Sequence, residues 1–308
     1  MSYHTPVLLK EAVAQLQVRR DGLYVDGTVG GGGHAEEILR VSEPDGRLIG
    51  LDWDEEAVAA SRERLQKFEG RVRLAQASYV ELERVLMQWD VTTVDGVLLD
   101  LGVSSRQFDE PSRGFSFMRE GALDMRMSRS LQTTARDFLA TATFEQLIRI
   151  FREYGEERRA RSVANAVIRE RELGLIETTT QLARLVERVL GPKRGGIHPA
   201  TRVFQALRIA VNNELDNVQR GLEAATRVLK SGGRLAVISF HSLEDRIVKQ
   251  FFVRNSEVCI CPPGLPVCGC GRKQVLRVIT RKPVTATEEE MERNPRARSA
   301  KLRVAEKI

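Results

Sequence analysis

The sequence lacks long apolar runs and has few aromatic residues and cysteines, and each of these features restricts the class of protein that it can encode. Its 308 residues contain no run of 18 apolar residues and no apolar segment behind a basic start, so the sequence predicts neither a membrane span nor a signal peptide. Aromatic residues make up only 6% of the chain, and cysteine occurs four times. We therefore expect a cytoplasmic globular protein with no membrane partner, long enough for one large domain or two smaller ones.

The few cysteines all lie in one short segment. Their spacing gives two C-x-C pairs around a proline-rich stretch rather than the scattered pattern of a disulfide framework. C-x-C is tighter than the C-x₂-C spacing of most zinc sites. Both a structural tetrathiolate zinc site and a loop of free thiols fit this pattern, with Cys259, Cys261, Cys268 and Cys270 as the candidate ligands.

Positive charge exceeds negative charge, and arginine supplies most of it. The formal net charge is +6, and all but nine of the 48 basic residues are arginine. Arginine pairs with phosphates through its planar fork and stacks on bases, which favours a polyanionic partner. An arginine-rich genome composition explains the same numbers equally well, because net charge alone does not identify a site.

The stretch that organises the chain is residues 23–34, which read LYVDGTVGGGGH. An apolar run stops at Asp26 and breaks into four glycines before helical sequence begins, which predicts a strand, a tight turn and a helix that together cradle a nucleotide. Gly30-x-Gly32-x-x-Ala35 satisfies the dinucleotide fingerprint, so a dinucleotide-dependent oxidoreductase is one interpretation. Asp26 suits S-adenosylmethionine (AdoMet) better, because AdoMet is cationic and has no pyrophosphate. A ligand-free surface loop is the third interpretation.

Short apolar runs then alternate with helical sequence. This order predicts a parallel sheet with right-handed crossovers and a ligand outside the carboxyl ends of the strands. Polar or aromatic residues close the successive strands at that edge. Asp52 stands about twenty residues after the glycines, where such folds place a ribose-binding carboxylate, and Asp54 is the better candidate for a helix cap. The residues of this rim are Asp26, Asp52, Tyr79 and Asp100.

A long loop interrupts the alternation from Ser104 to about Gly121. It interleaves guanidinium groups with aromatic rings, a mixture that suits splayed nucleic-acid bases, although a phenylalanine that plugs into the core is equally expected. Residues 134–190 are helical in pattern and predict an insert in the α/β domain. A cluster of arginines on that insert indicates either a solvated face or a phosphate contact. The candidate RNA-binding residues are Arg106, Arg113, Phe115, Phe117, Arg158, Arg159 and Arg161.

The last part of the chain returns to strand and helix patterns. The helical run from Val203 is expected to resume the layer packed on the sheet. Arg234-LAVISF predicts a fifth strand, and two alternating runs, from Gln274 and from Lys301, predict a final antiparallel pair that completes a seven-stranded sheet.

Several blocks of sequence together resemble one known family. The chain is similar to the bacterial 16S ribosomal RNA cytosine-N4 methyltransferases, the RsmH family, also called MraW. The resemblance covers essentially the whole length, and the cysteine segment is its least characteristic part. The blocks occur in the order HTPVLLKEAV, DGTVGGGGH, LLDLGVSS, RGFSFM, LDMRM, YGEERRA, HPATRVFQALRIAVNNEL, ISFHSLEDRIVK and NPRARSAKLRVAE.

The resemblance implies a class I AdoMet-dependent methyltransferase, with a Rossmann-like seven-stranded sheet and an inserted all-helical domain. We place the AdoMet-binding domain at 1–108 and 200–308 and the insert, for RNA recognition, at 109–199. The implied substrate is the N4 amine of cytidine 1402 in 16S ribosomal RNA, within the small ribosomal subunit. The implied cofactor contacts are Gly32, Gly33, His34, Asp52, Tyr79, Asp100 and Gln107. Tyr79 replaces the family's phenylalanine, and its ring can still stack on adenine.

The chemistry requires a proton acceptor, because the lone pair of a cytosine amine is delocalised into the ring. Asp100 is the candidate acceptor, and holding the amino group of the methionine part of AdoMet is its competing role. A non-catalytic RNA-binding assembly factor is the alternative from another class; it would keep the basic insert but would not need the acidic rim. The sequence leaves the oligomeric state open, a homodimer included.

Overall fold

The computed structural model describes residues 6–174, 176–192, 196, 198–259, 261 and 269–308. The chain forms two compact units, one from Met1–Gly102 with Leu215–Ile308 and one from Val103–Glu214. The division of the chain into a discontinuous unit and an insert was expected, but the insert is longer at both ends than the predicted 109–199.

The first unit is built on a seven-stranded sheet in the order β3-β2-β1-β4-β5-β7-β6. The strands β1 to β5 are parallel to one another, and β7 is antiparallel to both β5 and β6. The predicted seven strands and the final antiparallel pair are therefore confirmed. The strands are β1 Leu23–Asp26, β2 Arg47–Asp52, β3 Val72–Gln76, β4 Val94–Asp100, β5 Leu229–Ser239, β6 Leu276–Val278 and β7 Lys301–Lys307.

Helices connect and cover these strands. No α-helix among the described residues is long and apolar enough to cross a membrane. Short 3-10 helices occur at Gln66–Phe68, Tyr79–Glu81, Pro111–Arg113 and Pro295–Ser299. The α-helices are α1 Leu9–Leu16, α2 Gly33–Val41, α3 Glu55–Arg64, α4 Leu82–Gln88, α5 Ser105–Asp109, α6 Ala135–Thr141, α7 Phe144–Glu153, α8 Ala160–Leu173, α9 Thr179–Leu190, α10 Ala200–Asn212, α11 Glu214–Val228, α12 Ser242–Ser256 and α13 Glu288–Arg293.

The central strands of the sheet are buried on both faces. Because successive side chains of a strand point to opposite faces, Val97 and Leu99 of β4 join one apolar core, which includes residues of α4, α11 and α12. Leu98 joins the other, which includes residues of α1 and α2. Double burial explains why the strands read as apolar runs without polar alternation, and it leaves their carboxyl ends as the polar edge.

The second unit is helical, from α5 to α10. Its core is apolar, and in the described part of this unit the only strand-type pairing is an isolated bridge between Ala122 and Thr178. The expectation that the helix from Val203 packs on the sheet is wrong. Val203, Phe204 and Leu207 are buried in the helical core of the second unit, because an apolar stripe records that a helix is half-buried but not which core it faces.

Candidate active site

The glycine turn joins β1 to α2, and its geometry requires glycine. Gly30 and Gly32 have φ angles of 51° and 78°, in the left-handed region that costs other residues conformational energy. A Cβ on Gly33 would lie 2.2 Å from Cγ of Pro6. The turn therefore brings the backbone to the open edge of the sheet without side chains in the way.

Asp52, at the end of β2, holds this turn. One carboxylate oxygen accepts a hydrogen bond from the amide of Gly30 at 2.9 Å, and the other accepts one from the amide of Asp54, also at 2.9 Å. Burial raises the pKa of Asp52 to about 6. The separate prediction that Asp54 caps the next helix is confirmed, because its carboxylate accepts from the amide of Glu56 at the start of α3.

Asp26 and Asp100 end the neighbouring strands β1 and β4. Burial raises the pKa of Asp26 to about 7, and the negative charge of Asp52 adds to the shift. Burial, Asp26 and Glu244 together raise the pKa of Asp100 well above its usual range. Oδ2 of Asp26 and Oδ1 of Asp100 are buried and have no hydrogen-bond partner within the described chain. Such atoms carry a desolvation cost that a bound cation or donor would remove.

His34 lies in the first turn of α2, beside Asp100. Its Nε2 donates to the carbonyl oxygen of Val7 at 3.0 Å, and its Nδ1 lies 3.7 Å from Oδ2 of Asp100. Burial lowers the pKa of His34 to about 4, so the ring is neutral at pH 7. Since a carbonyl can only accept, the proton sits on Nε2, and the lone pair of Nδ1 faces the carboxyl group.

Tyr79 follows β3 and begins a 3-10 helix that Ser78 caps. Its ring packs on α11, where a Cβ at Gly221 would lie 2.3 Å from Cδ2 of the ring. The missing side chain at Gly221 therefore sets the position of the aromatic ring at the sheet edge.

Sequence reasoning missed three residues that shape this site. Oγ1 of Thr28 accepts from the amide of Asp100 at 2.6 Å. Glu244, only 1% exposed, accepts from the amides of Phe240 and His241 at 2.9 and 3.3 Å, and Nδ1 of His241 accepts from the amide of Glu244. This is a capping box at the start of α12. The i, i+3 spacing of His241 and Glu244 was the available signal.

Two candidate site residues with polar side chains, Gln107 and Arg113, lie in the second unit. Both hydrogen-bond to backbone atoms there. Gln107 closes a capping box with Ser104 and donates to the carbonyl oxygen of Met127 at 3.0 Å. Arg113 is only 4% exposed and donates to the carbonyl oxygens of Arg126 and Met127 at 3.0 and 2.9 Å. Its burial removes Arg113 from any surface at which RNA could bind, contrary to the sequence prediction.

The two candidate aromatic residues also differ from the exposed rings that the loop predicted. Phe115 is 6% exposed and belongs to the helical core. Phe117 is half-buried, with its ring centroid 4.7 Å from that of His198 and 4.9 Å from that of Phe204. Both rings stabilise the fold of the second unit, which was the alternative expectation for one of them.

The remaining basic candidates are at the surface. Arg106 is exposed in α5, and Arg158, Arg159 and Arg161 are exposed around the start of α8. The guanidinium of Arg161 lies 5.4 Å from the ring centroid of Phe144. The side chains of Arg158 and Arg159 make no hydrogen bond or ion pair with the described residues. The guanidinium groups of these four candidates are thus at the surface of the helical unit.

The cysteine segment lies between α12 and β6. The sulfur atoms of Cys259, Cys261 and Cys270 lie within 4.8 Å of one another. Cys268, the fourth predicted zinc ligand, is outside the described residues.

The acidic edge of the first unit fits AdoMet on chemical grounds. Three carboxyl groups with raised pKa values end the neighbouring strands β2, β1 and β4 beside a neutral histidine. Two of their oxygens have no hydrogen-bond partner among the described residues, so ionisation of these groups is disfavoured until a cation or a donor binds. AdoMet carries a sulfonium and an amino group, both positive, and ribose hydroxyls that donate to a carboxylate such as Asp52.

The sheet order with β7 reversed, the glycine turn after β1 and the acid at the end of β2 define a class I AdoMet-dependent methyltransferase fold. Within that class, the MraW methylase family matches residues 1–308, and the chain belongs to this family.

Two named relatives are similar over nearly their whole length. The chain is 52% identical to "Ribosomal RNA small subunit methyltransferase H" of Symbiobacterium thermophilum, over 99% of this chain and 97% of the relative. It is also 52% identical to the protein of the same name from Citrifermentans bemidjiense, over 99% of each chain. A solved rRNA methylase structure from Streptococcus thermophilus is 11% identical, with a TM-score of 0.42, over 97% of this chain and 93% of that one.

Proposed function

We propose that this protein transfers a methyl group from AdoMet to small-subunit ribosomal RNA, at the N4 amine of cytidine 1402 in 16S RNA. The observation that carries the proposal is the acidic edge formed by Asp26, Asp52 and Asp100. Asp26 is buried, the other two are half-buried, and two of the carboxyl oxygens have no hydrogen-bond partner among the described residues. The names of the 52% identical relatives support ribosomal RNA of the small subunit as the substrate. The choice of cytidine and of its N4 atom comes from the family resemblance.

The first unit would hold the cofactor through side chains and open backbone. Asp52 would accept from the ribose hydroxyls, Tyr79 would stack on adenine, and Gly32, Gly33 and His34 would line the glycine turn. When bound, AdoMet supplies an electrophilic methyl group on a sulfonium. The protein contributes position and electrostatics, because a fixed in-line approach lowers the entropic part of the barrier.

Asp100 is our candidate for the proton acceptor. Its raised pKa makes it a stronger base than an exposed carboxylate. The competing demand, holding the amino group of AdoMet, can be met by Asp26, whose Oδ2 is a second buried acceptor without a partner in the described chain. His34 would favour the protonated form of Asp100, because the lone pair of its Nδ1 lies 3.7 Å from Oδ2 of that carboxyl group.

The second unit would contact RNA through the arginines around the start of α8. That helix has no acidic residue in its first turn, and just before it the carboxylate of Glu157 accepts from the amide of Arg159 at 2.8 Å. The dipole at this helix end disfavours cations and favours anions. Arg158 and Arg159 are exposed at this end, and the helix dipole does not stabilise their positive charges. A phosphate would interact favourably with both the side chains and the helix end. Arg106 is a further exposed candidate, and Gln107 is kept only as a cofactor contact implied by the family.

Methyl transfer tests the proposal directly. Labelled AdoMet should transfer its methyl group to small-subunit RNA, and nucleoside mass mapping should find N4-methylcytidine at position 1402. Asp100→Asn should bind AdoMet yet lose most turnover, whereas Asp54→Asn, which alters a helix cap outside the rim, should retain it. RNA binding without methyl transfer would instead support an assembly factor. Methylation at another atom would contradict the assigned target.

A further inference from the structure

Three of the four cysteines converge at the surface of the first unit. Cys259 and Cys261 follow the end of α12, and Cys270 precedes β6. The sulfurs of Cys259 and Cys270 are 3.8 Å apart although eleven residues separate them in the chain. All three sulfurs lie within 4.8 Å of one another. Cys259 is exposed and the other two are half-buried, so the burial of apolar side chains does not account for the cluster.

The spacing of the sulfurs fits one tetrahedral ion. Zinc–sulfur bonds of about 2.3 Å place two thiolates of a tetrahedral site about 3.8 Å apart. A disulfide would bring the two sulfurs to about 2.05 Å, which the observed distance excludes for Cys259 and Cys270. The distance is thus too long for a covalent bond and equals that expected between two ligands of one ion.

A second observation concerns the charge on the sulfurs. The backbone amide of Cys261 donates to Sγ of Cys259 at 3.3 Å. Hydrogen bonds to a ligand sulfur stabilise the thiolate and orient it, as outer-shell partners of metal sites do. Arg272, two residues beyond Cys270, donates to the carbonyl oxygen of Arg254 in α12. The guanidinium group also pairs with the carboxylate of Glu257 at 3.7 Å, so Arg272 links the segment after Cys270 to the end of α12.

We propose that Cys259, Cys261 and Cys270 bind one structural Zn²⁺ that fastens the end of α12 to the start of β6. Thiolate ligands select soft or borderline metals over Mg²⁺ or Ca²⁺. β6 is the edge strand of the sheet, and the amide of Val275 just before it donates to the carbonyl oxygen of Asn255 in α12 at 3.0 Å. The ion adds a second link at the same place and so holds the sheet edge.

Metal content and spectroscopy test this site in the full-length protein. Protein purified under reducing conditions without chelator should contain about one zinc per chain. After chelation, Co²⁺ should bind and give the thiolate-to-metal absorption of a tetrahedral sulfur site. Cys259→Ser, Cys261→Ser and Cys270→Ser should each weaken zinc binding by at least about tenfold. Ser256→Ala, a matched change at the end of α12 without loss of a sulfur, should leave it unchanged.

Hydrogen exchange supplies a structural measurement. Removal of zinc should speed exchange at β6 and in the last turn of α12, while AdoMet affinity stays the same and confirms that the variants fold. Three outcomes would overturn the proposal: zinc no higher than in the triple serine variant, iron with acid-labile sulfide in its place, or unchanged cobalt absorption in Cys270→Ser. A disulfide between Cys259 and Cys270 under reducing conditions would do the same.

Discussion

The carboxyl groups at the acidic edge have pKa values above the ordinary range, so the stability and the cofactor affinity of the protein should depend on pH. Burial raises the pKa of Asp26 to about 7 and that of Asp52 to about 6. A raised carboxyl pKa stabilises the fold below the ordinary value near 4 and loses that contribution as the pH rises through about 6 to 7. A bound cation favours the ionised form, so cofactor affinity should rise over the same range.

We therefore predict that AdoMet raises the melting temperature more at pH 7.5 than at pH 5.5. The α-amino group of AdoMet, with a pKa of about 7.7–8.0, is still mostly protonated at both values. Thermal scans with saturating AdoMet across this range measure the effect. Asp26→Asn should flatten the pH dependence but not remove it, because Asp52 and Asp100 still titrate. A gain independent of pH in the parent protein would show that these carboxyl groups do not face the cofactor.

Asp52 should be the most sensitive position for cofactor binding. Asp52→Asn removes the charge that would assist two hydrogen bonds from the ribose, and it should cost about 2–4 kcal/mol, or roughly 30- to 800-fold in Kd. Calorimetry with AdoMet measures the loss. Asp54→Asn, two residues later, preserves a capping oxygen and serves as the control. Equal AdoMet affinity in both variants would remove Asp52 from the ribose site.

At the scale of single residues, the sequence predicted correctly those positions where backbone geometry restricts which residue types can occur. The end of a parallel strand, the glycine turn and the cap at Asp54 each follow from local sequence. It failed for Arg113, which looks like a surface residue of a loop but is buried, and it left open whether Phe115 is exposed or buried. A loop of mixed arginine and phenylalanine does not reveal which backbone carbonyls a guanidinium will satisfy, since those carbonyls belong to residues 126 and 127.

At the scale of secondary-structure elements, helix α11 determines where the ring of Tyr79 lies at the candidate active site. Gly221→Ala would place a methyl group within 2.3 Å of the ring of Tyr79, so the ring or the helix must move. We expect AdoMet affinity to fall by about tenfold, with the fold retained, because a displaced ring loses about 1–3 kcal/mol of stacking. Equilibrium binding measures the change, and Gly174→Ala, where no atom lies within 4 Å of the new Cβ, is the matched control.

An unchanged affinity in Gly221→Ala would contradict the stacking role of Tyr79. The packing of Tyr79 on α11 was not predictable, because it joins residues far apart in the chain. The same limit explains α10, whose apolar stripe was correctly identified as helical but assigned to the wrong core. Periodicity fixes the type of an element, whereas its packing partner depends on contacts that no local pattern records.

At the scale of the whole molecule, part of the excess positive charge lies in a surface cluster of arginines. Arg158, Arg159 and Arg161 are exposed on the helical unit, far in sequence from the acidic edge. Replacing all three by alanine should leave AdoMet affinity unchanged and weaken binding to small-subunit RNA. Each lost phosphate contact should reduce the slope of log affinity against log salt by about one unit. Binding titrations at several salt concentrations measure this slope.

A matched triple change on the same unit provides the control for that experiment. Arg149, Arg152 and Arg184 are arginines of α7 and α9, and their replacement alters the net charge equally. If both triple variants changed the salt slope to the same extent, the effect would reflect net charge alone. If neither changed it, the start of α8 would not be part of an RNA interface.

The order of the strands has a consequence for how the protein folds during its synthesis. β7 is the last of the seven strands in chain order, yet it lies between β5 and β6, so β5 lacks its second neighbour and β6 its only neighbour until residue 307 has left the ribosome. The helical unit is contiguous and complete by residue 214. We expect nascent chains to protect that unit from protease early, while β5 stays open on one side. The sheet is thus complete only once β7 has been synthesised, well after the helical unit.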